Sequence, residues 1–241
     1  MLVAYSLSEN GPRTIAIAEG EVVPEDARWL DLYQPTREED VAAEGFLKAS
    51  LPTREEAAEI EFSSRFYTED GAIFMTASVL TGVDHDKPML VPLTIVVAGE
   101  QRIATLRYEE LRAHKQFLVR ATKSGSGCAT AASVYFGLIE AIVDRTADVL
   151  EKISSDVDRI NQEVFSSQKD KRRGRRLEGL MERIGFQCDL AAKARESLSS
   201  LERLVQFSNV ALPASFGKGA NKNRLKLLAR DVRSLEDHCS F

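Results

Sequence analysis

Histidine and cysteine are the residue types in this chain that could bind zinc or act as nucleophiles. The chain has three of each, and they are His85, His114, His238, Cys128, Cys188 and Cys239. They are scattered, with no CxxC pair and no second histidine at metal-binding spacing. The pattern favours reduced cysteines that pack in the interior over a disulfide framework or a zinc site.

Catalytic motifs are the next candidates. No local pattern places a serine or cysteine nucleophile beside a histidine and an acid, so the sequence does not indicate an enzyme. Residues 125–127, Gly-Ser-Gly, precede a helical pattern as a phosphate-binding loop does, but the full GxxxxGK[ST] pattern is absent. We therefore interpret residues 123–130 as a flexible hinge.

Carboxylates are the most numerous charged groups, with 37 Asp and Glu against 32 Lys and Arg. Residues 1–130 carry 21 acidic and 13 basic residues, whereas residues 131–241 carry 16 and 19. An acidic first half argues against nucleic acid, which requires clustered Lys and Arg, and favours cations as partners. The basic run 169–176 is either a site for phosphate or anionic lipid or a solvated turn, and its acidic flanks favour the turn.

The first half of the chain has the patterns of a β-sheet with interspersed helices. Runs 2–7 and 13–18 flank a turn sequence and predict a hairpin, and run 28–33 predicts a third strand. Ranges 36–48 and 53–61 each begin with Thr followed by a Glu-rich turn, which predicts two N-capped helices.

The rest of this half predicts a β-meander and one further helix. Runs 72–80, 90–98 and 102–108 are rich in β-branched residues and joined by short polar links. Residues 109–122 predict a helix that packs on the resulting sheet. We therefore assign residues 1–122 to an α/β domain.

From residue 131 onward, apolar residues recur with the 3.6-residue period of a helix. The pattern predicts a long antiparallel helical hairpin over residues 131–213, with no strand between Val134 and Phe207. A third helix is predicted over residues 220–241, where a coiled-coil seam repeats in steps of three and four. Its seam residues are Leu225, Leu228, Val232, Leu235 and Cys239.

The predicted fold class is α+β, with an N-terminal mixed β-sheet flanked by helices, followed by long antiparallel helices and a truncated third helix. The third helix reaches Phe241 without a stop signal, so we expect a helical continuation beyond it. The sequence has no apolar run long enough to span a bilayer and no N-terminal signal pattern. We therefore expect the chain itself to be soluble and cytoplasmic.

Six segments spread over nearly the whole chain carry a family resemblance. They are WLDL at 29–32, PTREE at 35–39, LPTREE at 51–56, IEFSSRFY at 60–67, DGAIFMT at 70–76 and RDVRSLEDH at 230–238. In this order and spacing they resemble the cytoplasmic domain of CorA-type magnesium transporters.

The resemblance implies an α/β domain, two long willow helices and a stalk helix that continues into the membrane of a homopentameric channel. The pore motif Gly-Met-Asn and both membrane helices are then expected beyond Phe241, with this part on the cytoplasmic side of a bacterial-type inner or plasma membrane. The implied function is regulation and gating of Mg²⁺ transport, with Co²⁺ as an alternative cargo, in response to intracellular divalent cation. The alternatives are a zinc-transporting member of the superfamily and a coiled-coil interaction module without transport.

The resemblance also implies regulatory cation sites between subunits, each pairing an acid of the N-terminal domain with one on the stalk. Glu55 is the best N-terminal match, and Glu56 lies beside it. On the stalk the aligned turn, 227–228, reads Leu-Leu, and the nearest acids are Asp231 and Asp237. Mg²⁺ takes one or two carboxylates and keeps much of its water, which suits such sites. Glu55 has a second interpretation, as a first-turn acid that the helix dipole alone stabilises.

The length of the stalk seam bears on assembly. It holds roughly two and a half heptads, whereas a stable coiled coil needs about three or four. We therefore expect the isolated chain to be monomeric or weakly associated.

Overall fold

The computed structural model describes residues 1–17, 22–123, 127–166, 173–217 and 220–239. Its central element is a seven-stranded sheet with the strand order β2-β1-β3-β7-β6-β5-β4. The strands are β1 (Leu2–Ser8), β2 (Gly11–Ile15), β3 (Trp29–Tyr33), β4 (Phe66–Glu69), β5 (Ala72–Thr81), β6 (Met89–Ala98) and β7 (Arg102–Arg107). The sheet is mixed because β3 pairs with β7 in parallel, while the other neighbours are antiparallel.

Eight helices surround or follow this sheet in the described part of the chain. They are α1 (Arg37–Leu47), α2 (Arg54–Ala58), α3 (Phe62–Arg65), α4 (Arg112–Ala121), α5 (Ala131–Ser166), α6 (Arg173–Ala211), α7 (Ala214–Gly217) and α8 (Ala220–His238). The fold class is α+β, as predicted, with a mixed sheet followed by long helices. Among the described helices, none combines the length and hydropathy required to cross a bilayer.

The two faces of the sheet enter two different cores. On β5, Ile73 and Met75 belong to a core that also contains residues of α4, α5, α6 and α8. Phe74, between them, belongs to a second core with Phe46 and Leu47 of α1. Because successive side chains of a strand point to opposite faces, this division makes the sheet the middle layer of three.

Both predicted helix starts are closed by capping boxes. The Thr36 hydroxyl accepts from the Glu39 N–H at 3.3 Å, and the Glu39 carboxylate accepts from the Thr36 N–H at 2.9 Å. Thr53 and Glu56 repeat the arrangement at 3.2 and 2.8 Å. Each box satisfies backbone donors that the first turn of a helix leaves unpaired.

Several boundaries differ from the predicted ones for local reasons. Helix α2 ends at Ala58 rather than near Glu61, because the backbone of Glu59 is already extended, with ψ 147°. Helix α4 begins at Arg112 rather than at residue 109, because Leu111 is extended as well. Strand β4 was not predicted at all, since four residues are too few to show a period of two.

Some predicted features fall partly outside the described residues. These are the strand end at 18, the hinge residues 124–126, the basic run at 169–172 and the chain end at 240–241. Residues 173–176 of the basic run belong to α6, which therefore begins earlier than predicted. The described residues between Val134 and Phe207 are all helical.

The predicted seam of the third helix packs inside the chain. Leu225, Leu228 and Val232 of α8 are buried in the core that includes α5 and α6. Beside them, Arg224 donates to both carboxylate oxygens of Glu140 on α5, at 2.9 and 2.7 Å. The apolar repeat of α8 thus holds the helix against its own chain.

Helix α5 approaches α4 closely at Gly137. A Cβ at this position would lie 2.7 Å from Cε2 of Phe117, closer than side chains tolerate. Phe117 is buried and packs edge to face on Trp29, with ring centroids 5.7 Å apart. The ring is therefore held in place, and the contact between the two helices requires glycine.

We expect Gly137→Ala to destabilise the protein although alanine favours helix. Overpacking costs about 1 to 3 kcal/mol, against a gain in helix propensity of about 1 kcal/mol. The matched control is Gly185→Ala in α6, where an added Cβ meets nothing within 4 Å, and it should stabilise by up to about 1 kcal/mol. Urea unfolding of both variants measures the difference, and equal stabilisation by both would contradict the packing at Gly137.

Candidate functional site

Glu55 and Glu56 lie on one short helix, α2. The carboxylate of Glu56 takes part in the capping box, and its Oε2 accepts from the Thr53 N–H at 2.8 Å and from the Thr53 hydroxyl at 3.0 Å. Glu55 is in the same turn and is exposed to solvent. The helix therefore uses one of the two predicted ligands in its own cap and presents the other to solvent.

The surface beside α2 is rich in carboxylates and hydroxyls. A shallow depression of about 460 Å³ is lined by Glu56, Glu59, Glu69, Tyr67, Ser63, Ser64 and Thr68. Partial burial raises the pKa of the Tyr67 phenol, and the negative charges of Glu69 and Glu56 raise it further. The groups around this depression thus disfavour an additional negative charge and favour cations.

A second tyrosine near α2, Tyr108, is also surrounded by negative charge. Partial burial raises the pKa of Tyr108, and the carboxylates of Asp40 and Glu55 add to the effect. Arg54 opposes them, with its guanidinium carbon 5.3 Å from the centre of the Tyr108 ring. The negative charges of Asp40 on α1 and Glu55 on α2 therefore both disfavour ionisation of the Tyr108 phenol.

Asp231 and Asp237 lie on α8, and both are exposed. Six residues of helix separate them by about 9 Å along the axis, so the two carboxylates do not share one ion directly. Asp231 lies 3.6 Å from the Nε of its neighbour Arg230. Each of these carboxylates therefore faces solvent as a separate group.

The structure does not bring the four predicted ligands together within one chain. Among the residues described, no three His, Cys, Asp or Glu side chains are grouped so that they could hold a metal ion. A hydrated Mg²⁺ held by one or two carboxylates is compatible with exposed acids of this kind.

The histidines and cysteines lie in separate elements. His85 ends a 3₁₀ turn, His114 is in α4 and His238 is the last residue of α8. The three cysteines, all within the described residues, form no disulfide. Cys128 is buried, as expected of a packing thiol, whereas Cys188 is exposed, and burial raises the pKa of the Cys128 thiol.

A buried polar cluster at the centre of the sheet was missed by the sequence analysis. Asp31 of β3 accepts from Nη2 of Arg107 at 2.9 Å and from the Thr105 hydroxyl at 2.8 Å. Nε2 of His114 lies 3.2 Å from the same carboxylate. The indole of Trp29 donates to the Thr105 hydroxyl at 3.1 Å. The cluster links β3 and β7 and places α4 against them.

Interactions with neighbouring side chains keep the Asp31 carboxylate ionised. Burial alone raises the pKa of Asp31, but the neighbouring His114 and Arg107 outweigh it and lower the pKa to about 2. The only sequence signal was that Asp31 shares a strand face with Trp29, where an apolar residue is expected. Its partners are more than 70 residues away in sequence, so no local pattern could identify them.

These features define the class of the protein. An α/β layer with an acidic surface is followed by long helices, and the candidate ligands are exposed carboxylates on α2 and α8. A family model described as CorA-like Mg²⁺ transporter protein matches residues 24–241. The chain belongs to this family.

Individual relatives cover almost all of the chain. The magnesium transport protein CorA of Salmonella typhimurium is 26% identical over 242 residues, which is 99% of this chain and 72% of the relative. The soluble domain of CorA from Methanocaldococcus jannaschii has the same fold, with a TM-score of 0.76, 14% identity, and coverage of 99% of this chain and 90% of that one. The cytoplasmic domain of ZntB from Vibrio parahaemolyticus also has it, with a TM-score of 0.70, 10% identity and the same coverages.

We expect Asp31→Asn to destabilise the protein by about 3 kcal/mol at pH 7, because it leaves Arg107 buried without its charge partner. The folded pKa of Asp31, about 2, lies below the ordinary value of 3.8. The carboxylate therefore contributes stability above about pH 4 that is lost as the pH falls through 2, an effect of about 2 kcal/mol.

The free energy of unfolding, measured by urea between pH 7 and pH 3, checks this expectation. The difference between the wild type and Asp31→Asn should shrink as the pH falls. Asp70→Asn, at an exposed turn with positive φ that Asn tolerates, is the control and should stay within about 0.5 kcal/mol of the wild type. A difference for Asp31→Asn that does not depend on pH would contradict the assignment of a charged Asp31.

Proposed function

We propose that this chain is the cytoplasmic regulatory part of a channel that transports Mg²⁺, with Co²⁺ as an alternative cargo. In the full-length protein it forms a homopentamer in a bacterial-type inner or plasma membrane, attached through helices that follow α8. It senses intracellular divalent cation and sets whether the channel is open. The observation that carries this proposal is the family match over residues 24–241.

Two further observations support it. The Salmonella relative, which extends over nearly the whole of this chain, is a magnesium transport protein. The surface around α2 is rich in carboxylates, and negative charge attracts cations to it. A sensing role requires binding near the millimolar range, which exposed carboxylates and a hydrated ion provide more readily than a closed cage.

In this proposal the regulatory ions bind between neighbouring subunits. Glu55, assisted by Glu56, supplies a ligand from α2, and Asp231 or Asp237 supplies one from α8 of the adjacent subunit. When the ion leaves, carboxylates face one another across the interface at a cost of about 1 kcal/mol for each close pair. Five such interfaces loosen together, which couples the loss of the ion to opening.

The chemistry of these ligands favours Mg²⁺ over zinc as the regulatory ion. Zinc sites in proteins are typically built from His and Cys, whereas Mg²⁺ prefers carboxylates and water. The alternative of a coiled-coil module without transport loses support as well. Leu225, Leu228 and Val232, which were to form its seam, are buried against α5 and α6 of the same chain.

A Mg²⁺ titration of the full-length protein tests the proposal, with protection from protease as the readout. Glu55→Ala and Asp231→Ala should each raise the Mg²⁺ concentration for half-maximal protection about fivefold, the factor for about 1 kcal/mol. The control is Glu9→Ala, an exposed acid in the β1–β2 turn, which should leave the midpoint unchanged.

Two outcomes contradict different parts of the proposal. If both variants keep the wild-type midpoint, Glu55 and Asp231 are not the ligands. If the wild-type protein shows no dependence on Mg²⁺ at millimolar concentrations, the sensing role itself is wrong.

A further inference from the structure

Along one edge of β5, the last six of its ten residues have no described strand beside them. β5 pairs with β6 along its whole length, from Ala72 to Thr81, but with β4 only from Ala72 to Met75. Beyond Met75, the described strands leave the backbone groups on the β4 side without a partner. Such an edge exposes donors and acceptors that must be paired when they are buried.

Two serine side chains of α6 form hydrogen bonds with the backbone of Ser78 at this edge. The Oγ of Ser200 accepts from the N–H of Ser78 at 2.9 Å, and the Oγ of Ser197 donates to its carbonyl oxygen at 2.9 Å. Ser197 is fully buried, and Ser78 and Ser200 are each 8% exposed. Because the two serines are three residues apart, they lie on one face of the helix and replace the missing strand.

Arg65 connects α2 to the same point. Its Nη1 donates to the Ser78 hydroxyl at 2.7 Å, and its Nε donates to the carbonyl oxygen of Glu59, the C-cap residue that follows α2. Helix α2 is five residues long and also carries Glu55 and Glu56. We name the group formed by Arg65, Ser78, Ser197 and Ser200 the Ser78 joint.

The opposite side of α6 contacts α8. The Ser199 hydroxyl donates to the Glu236 carboxylate, and Nη2 of Arg233 donates to Oε1 of Glu202 at 2.9 Å. Val232 of α8 is fully buried in the same core as α6. Helix α6 therefore makes direct hydrogen bonds to Ser78 of β5 on one side and to α8 on the other.

We propose that the Ser78 joint transmits a displacement of α2 through α6 to α8. The hydrogen bonds of Ser78 to Ser197 and Ser200 are buried and costly to leave unmade, and Arg65 adds a part-buried bond to Ser78 and an exposed one to Glu59. The end of α2, the edge of β5 and the middle of α6 therefore move together. The proposal deepens the proposed function, since it gives the route by which an ion held by α2 carboxylates acts on the helix that leads toward the membrane.

A mutant cycle in the metal-free chain tests the joint without relying on the proposed function. Arg65→Met keeps an unbranched apolar stem and removes both hydrogen bonds. It should speed amide hydrogen exchange at residues 225–232 of α8 about fivefold, the factor for the loss of the one hydrogen bond to Ser78. In the background of Ser197→Ala with Ser200→Ala, the same substitution should change this exchange less than twofold.

The matched control is Arg102→Met. Arg102 is half-buried, donates to the carbonyl oxygen of Phe46 at 2.6 Å and lies over the Phe46 ring, but it packs on α1. It should speed α8 exchange less than Arg65→Met does, and by no more than its own loss of global stability accounts for. If the double serine variant does not fold, Ser197→Ala alone completes the cycle with one bond removed.

The proposal is wrong if Arg65→Met speeds α8 exchange equally in both backgrounds. It is also wrong if Arg102→Met speeds α8 exchange as much as Arg65→Met does. A second arm adds Mg²⁺ to the full-length protein, where protection of α8 should appear in the wild type and be lost in the double serine variant. If Mg²⁺ still protects α8 in that variant, the Ser78 joint does not transmit the effect of the ion. If Mg²⁺ does not change the exchange of wild-type α8 while the metal-free cycle shows coupling, the proposed cation site is wrong, but the coupling through the Ser78 joint is supported.

Discussion

The meander β5–β6–β7 is apolar on both faces, and both faces must be removed from water. Helix α1 covers one face. The other face enters a single core with α4, α5, α6 and α8. Because this core continues from the sheet into the long helices, the position of each helix depends on the sheet. The buried cluster around Asp31, the contact at Gly137 and the Ser78 joint all lie on this shared face or at its edge.

Local patterns in the sequence predicted most of the elements. Capping at Thr36 and Thr53, the meander and the long helices follow from interactions within a few residues. Strand β4 and the parallel pairing of β3 with β7 were not predicted, because β4 is short and the β3–β7 contact spans more than 70 residues. The same separation concealed Arg107 and His114 as partners of Asp31.

The candidate site depends on different information from the fold. Glu55, Glu56, Asp231 and Asp237 were chosen from a family resemblance, and one chain places them on two separate elements, α2 and α8. The seam of α8 was interpreted as a contact between chains, because its spacing does not reveal which surface it meets. In the structure the seam packs on α5 and α6, and its spacing suits a partner in the same chain equally well. Within one molecule, hydrogen bonds through Arg65, Ser78 and α6 connect the two acidic elements.

We expect the sheet and the long helices to unfold as one cooperative unit because they share a core. Trp29, the single tryptophan, is fully buried in the sheet, whereas ellipticity at 222 nm reports mainly the helices. Denaturant unfolding followed by both signals tests the claim directly. We predict that Trp29 fluorescence and the main loss of ellipticity share one midpoint. Exposure of Trp29 at lower denaturant, with most of the helical signal retained, would contradict the claim.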